Sequence, residues 1–89
     1  MISQPITIIN KLGLHARAAS KLVNLASQFA SSVTLINKGN SVNAKSIMGV
    51  MMLAASKGSE MVLEVEGDDE QACAEAIVAL INDRFEEEE

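Results

Sequence analysis

The chain has no tryptophan or tyrosine, two phenylalanines, one proline, one cysteine and one histidine among its 89 residues. Each scarcity closes a route. Without aromatic rings to stack on bases, without a basic cluster and with a formal net charge of −5, the chain argues against nucleic acid as a partner. A lone Cys73 forms no internal disulfide, which fits a reducing compartment. One histidine and one cysteine do not make a metal site, so neither metal nor other cofactor is expected. No basic-plus-apolar leader is visible, and no apolar run nears the length of a membrane span, so a cytoplasmic protein without membrane insertion is expected.

What the chain does have is aliphatic bulk. Hydrophobic residues make up 48% of it, enough for one small domain with a core of Ile, Val, Leu, Met and Ala. Ile6 and Ile8, with polar Thr7 and Asn10, suggest a first strand begun behind Pro5, and Gly13 then allows a turn. From Ala16, the residues Ala19, Leu22, Val23, Ala26 and Phe29 recur at helical spacing, while Arg17, Ser20, Lys21, Asn24 and Gln28 fall on the other side. Val33 and Leu35 around Thr34 read as a second strand. Asn37-Lys38-Gly39-Asn40 supplies a hairpin turn into a short third strand around Val42.

A second helix should begin at Ser46, a good N-cap residue, and close at Lys57-Gly58. Placed at 100° per residue, its Val50, Leu53 and Ala54 form one apolar side, and Met48, Met51, Met52 and Ala55 another nearly opposite. A helix covering one layer needs one buried side, so Met48 and Met51 are expected at the surface, with Ile47 at the edge, as an adaptable partner-binding patch. Met61, Leu63 and Val65 alternate with Val62, Glu64 and Glu66 in a fourth strand that Gly67 ends. Asp68-Asp69-Glu70-Gln71 opens a last helix, with Asp68 as the cap and Gln71 as its capping-box partner. Cys73, Ala76, Ile77, Leu80 and Ile81 form its apolar stripe, which makes Cys73 a core residue. Glu86 to Glu89 read as a solvated acidic tail beyond a domain of residues 1–85. The order βαββαβα implies an α+β two-layer sandwich, with an antiparallel sheet covered on one face by three helices.

The chemistry concentrates in Lys11-Leu12-Gly13-Leu14-His15-Ala16-Arg17. His15 sits where a strand gives way to a helix, and such a position alone is more often a cap or a loop than a catalytic site. The first turn of that helix, from Ala16 and Arg17, offers unpaired N–H groups and the positive end of the helix dipole, so a phosphoryl group on the imidazole would be stabilised. Arg17 adds a planar cation suited to phosphate oxygens. An unperturbed histidine, with a pKa of about 6.5, is largely neutral and nucleophilic near pH 7.

This run resembles the phosphorylation-site motif of the HPr family, the histidine-containing phosphocarriers of the bacterial phosphoenolpyruvate-dependent phosphotransferase system. Asn43-Ala44-Lys45-Ser46-Ile47-Met48-Gly49-Val50-Met51 resembles the family's second signature, which in many members holds a regulatory serine. Two signatures in the right order and spacing are far more specific than one. The resemblance covers all but the acidic tail. It departs at Ala18, where many members have proline, an exchange that costs a helix start little. The resemblance implies the strand order 1-4-2-3 and phosphorylation of His15 by enzyme I, on the ring nitrogen nearer the backbone. It implies onward transfer to IIA-type domains, docking through Ile47, Met48 and Met51, and control at Ser46 by an HPr kinase/phosphorylase. A monomer is expected.

Two other classes compete with a carrier. A mainly regulatory interaction protein, either the nitrogen-branch NPr or a Ser46-controlled co-regulator, would use the second helix with little sugar-transport flux. A stand-alone enzyme would need a nucleophile or second titrating group beside His15, where the sequence places Leu14, Ala16 and Arg17. The chain therefore reads as a carrier that is transiently phosphorylated and not as an independent catalyst.

Overall fold

A computed structural model describes residues 1–86. Its elements are β1 (Ile2–Thr7), α1 (Ala16–Ala26), β2 (Ser32–Asn37), β3 (Asn40–Asn43), α2 (Ile47–Met52), β4 (Glu60–Glu66) and α3 (Glu70–Asn82), closed by a 3₁₀ turn at Arg84–Glu86. The sheet is antiparallel throughout and ordered β1-β4-β2-β3, as the resemblance implies. Alternation explains its sidedness. Met61, Leu63 and Val65 of β4, with Val33 and Leu35 of β2, point under the helices and are buried. Leu22 of α1, Val50 of α2 and Ile77 and Ile81 of α3 meet them from the helical layer. Cys73 is buried in this core, as expected, and desolvation pushes its thiol pKa up.

Several boundaries differ from those the pattern suggests. β1 starts at Ile2 and contains Pro5, which a strand tolerates because β1 is an edge of the sheet and pairs only with β4. Ile8 lies past the strand, tied by its N–H to the Ser59 carbonyl at 3.0 Å. α1 stops at Ala26, leaving Phe29 half-buried in the loop beyond. The hairpin turn puts both Lys38 (φ 52°) and Gly39 (φ 85°) in the left-handed region, the geometry that matches strand twist.

α2 is shorter than expected and ends five residues before Lys57. Leu53 is its C-cap and Ala54 turns left-handed at φ 51°. Because the helix has ended, the expected sides swap there, with Ala55 buried and Ala54 exposed.

The expected capping box of α3 does not form. Asp69, not Asp68, holds the N-cap position, and its side chain does not cap the helix. Its carboxylate accepts instead from the Ala30 and Ser31 N–H groups, at 2.8 and 2.9 Å, and from the Ser31 hydroxyl. Glu70 reaches back to the Gly67 N–H, while Gln71 donates to Glu75. At the other end of α3 the fully buried Phe85 anchors the 3₁₀ turn, and Lys21 holds the Phe85 carbonyl at 2.8 Å and the Glu86 carboxylate at 3.2 Å. Glu86 of the acidic run thus belongs to this turn, and Glu87–Glu89 lie outside the described residues.

Candidate functional site

The loop from β1 to α1 is built to present His15. Asn10, buried, donates through Nδ2 to the Gly13 carbonyl at 2.8 Å, and the Gly13 N–H returns to the Asn10 carbonyl at 3.2 Å. Gly13 is left-handed at φ +67°, and a Cβ there would lie 2.4 Å from the Ala55 carbonyl oxygen. Only glycine fits such an approach. The next residue, Leu14, donates its N–H to that same carbonyl at 2.8 Å. The segment just after α2 therefore braces the residues just before His15. Alternation makes Asn10 a polar strand neighbour, whereas the structure makes it a turn residue, a role signalled by Asn followed three residues later by Gly.

His15 is itself the N-cap of α1. Its backbone is extended, its carbonyl accepts the Ala19 N–H at 2.8 Å, and its Nδ1 accepts the Arg17 N–H at 3.3 Å. In that contact Nδ1 accepts through its lone pair and is turned toward the amides of the first helical turn. The cap of α1 is thus made by a ring nitrogen. The ring is half-buried, while Ala16 and the Arg17 side chain are exposed.

Ser46 caps α2 as expected, with Oγ accepting the Gly49 N–H at 3.2 Å. The neighbouring Lys45 ammonium donates to the Phe29 carbonyl at 2.8 Å. Ile47, Met48 and Met51 are all exposed, Met48 to 71%. Met52, on the helix side that spacing gives to Met48 and Met51, is exposed to 78%, and Leu12, to which spacing assigns no role, to 67%. Among the described residues no group of three or more His, Cys, Asp or Glu could hold a metal ion, and no helix is long and apolar enough to cross a membrane.

A family model described as the PTS HPr component phosphorylation site matches residues 2–83. The chain belongs to the HPr family. Among HPr proteins, the phosphocarrier protein HPr of Cupriavidus necator is 56% identical over the whole of both chains. The crystal structure of an HPr from Thermoanaerobacter tengcongensis superposes with a TM-score of 0.96 at 46% identity, again over all of both chains. A crystal structure of an HPr dimer from that organism aligns with a TM-score of 0.79 at 46% identity, covering 98% of this chain and all of that one. The phosphocarrier role in the phosphotransferase system follows from this membership.

Proposed function

We propose that His15 accepts a phosphoryl group on Nδ1 from enzyme I and passes it to a IIA-type domain. The observation that carries this reading is the Nδ1 lone pair held at the N-terminus of α1. As the N–P bond forms and the bond to the donor breaks, the Arg17 N–H is released from Nδ1 and can turn to a phosphoryl oxygen, with the helix dipole behind it. The Arg17 guanidinium, exposed and in the first turn of the helix, adds a mobile charge-assisted contact. These contacts substitute for water at little reorganisation cost and hold the group only moderately, as onward transfer requires.

Docking falls to Ile47, Met48 and Met51, joined to the His15 loop through the Ala55 brace. Phosphorylation of Ser46 by an HPr kinase/phosphorylase would place negative charge beside that patch, at a helix end that tolerates it. The protein works as a cytoplasmic monomer in this scheme. The nitrogen-branch alternative gains no support from relatives that are phosphocarrier HPr proteins. Incubation with enzyme I and labelled phosphoenolpyruvate should give an acid-labile, base-stable adduct that His15→Ala lacks; label retained by the variant would overturn the assignment.

A further inference from the structure

All twelve acidic residues follow Ser59, whereas six of the seven lysines and arginines precede it. The fold turns this linear segregation into a surface. The sheet is covered on one side only, and its other side carries the outward positions of all four strands. From β4 these are Glu60, Val62, Glu64 and Glu66, and none of the outward strand positions is Lys or Arg. Lys38 and Lys45 stay at the rim, one in the hairpin turn and the other bound to the Phe29 carbonyl.

Register adds an apolar feature. Pro5, Val62 and Ile36 are direct cross-strand neighbours on this face, Pro5 exposed and the other two half-exposed. Across three adjacent strands they form a bar about 10 Å long, and Glu60 and Glu64 lie about 7 Å to either side of it, two residues along β4. Apart from Glu66, the remaining outward positions are serine, threonine and asparagine.

We propose that this open sheet face, which does not include His15, is a second docking surface for an amphipathic helix of another protein that carries an apolar stripe flanked by lysine or arginine. The match is one of charge and spacing. The stripe would lie along the bar, about two helical turns long, and the flanking cations would meet Glu60 on one side and Glu64 on the other. Because the face does not include His15, the carrier could be held there while phosphoryl exchange continues.

The test is an amide NMR titration of the full chain with a synthetic helix bearing leucine along one face and lysine along both flanks. Saturable shifts confined to β1, β4 and β2, weakened about tenfold in Glu60→Gln/Glu64→Gln/Glu66→Gln, are expected. His15→Ala should bind unchanged, which separates this proposal from the carrier assignment. If the triple variant loses its native spectrum, Val62→Lys decides, since it should keep the fold and lose the peptide. No saturable binding, shifts centred on α3, or an unaffected Val62→Lys would each overturn the proposal. So would concentration-dependent shifts on this face without peptide, which would make the occupant a second copy.

Discussion

The starts of α1 and α3 are two helix ends that solve the same problem in opposite ways. Each begins with a residue whose side chain has lone pairs to offer. At α3, Asp69 commits its carboxylate to a distant loop, accepting from Ala30 and Ser31, and ties the α1–β2 connection to the last helix. At α1, His15 makes a longer contact of 3.3 Å to its own helix, from a half-buried ring. The acidic end ties two distant segments together, and the imidazole end is the one to which the proposed function gives the chemistry. Its rigidity comes from behind, through Gly13 and Leu14 on the Ala55 carbonyl.

The comparison breaks most visibly at the brace. Gly13→Ala drives a Cβ into backbone and forces an alanine into the left-handed region, so chemical denaturation should show a loss of roughly 2 kcal/mol or more, with slowed phosphorylation of His15. Normal stability would mean the loop yields. Asp69→Asn should lower the urea midpoint and leave phosphoryl acceptance intact, the reverse of a change at a working helix end. Here pH gives a second handle. The Ser31 hydroxyl, then the Ala30 N–H, hold the Asp69 pKa below its ordinary value. Its contribution is therefore present above the unfolded carboxyl pKa of about 3.9 and is lost as pH falls through the lower folded value. Acid unfolding of Asp69→Asn should lack that component.

Arg17→Ala sharpens the contrast from the other side. Transfer from enzyme I should slow on the order of tenfold, while unfolding stays within about 0.5 kcal/mol of the parent; a stability loss with normal transfer would make Arg17 structural. The smallest effects belong to the third cap. Ser46→Asp should keep the helical circular dichroism and weaken the apparent affinity for enzyme I, with Met48→Ala acting in the same direction. Unchanged kinetics in both would remove α2 from the docking surface.

Much of this was readable in the chain because it is local. The alternation in β4, the hairpin at Lys38-Gly39 and the Ser46 cap each depend on neighbours a few residues away, and each stands as expected. The role of Asp69 was not readable, because its partners lie 38 and 39 residues earlier and a rival local rule, the capping box, fits the same letters. The end of α2 escaped for a related reason. A left-handed alanine at position 54 goes against its own preference, and it leads directly into the Ala55–Ser56 backbone that packs on Gly13. Leu12 lies inside the first motif and Met52 just past the second, and the folded surface shows both side chains exposed. At His15 the sequence located the residue and the helix end, while the cap contact made by Nδ1, the nitrogen proposed to take the phosphoryl group, shows only in the fold.

That contact ties the endurance of the fold to its usefulness as a donor. In the proposed cycle the phosphoryl group takes over the Arg17 amide that Nδ1 holds in the resting protein, so phosphorylated and free forms differ in folding free energy by what that contact gains or loses. The same difference sets how readily the group leaves. Each 1.4 kcal/mol or so by which a substitution near Ala16 or Arg17 favours the phosphorylated fold over the free one shifts the handover equilibrium about tenfold against the acceptor. A melting curve of the two forms would then double as a measure of transfer potential, and a variant selected for a durable phosphohistidine would be selected for a failing relay.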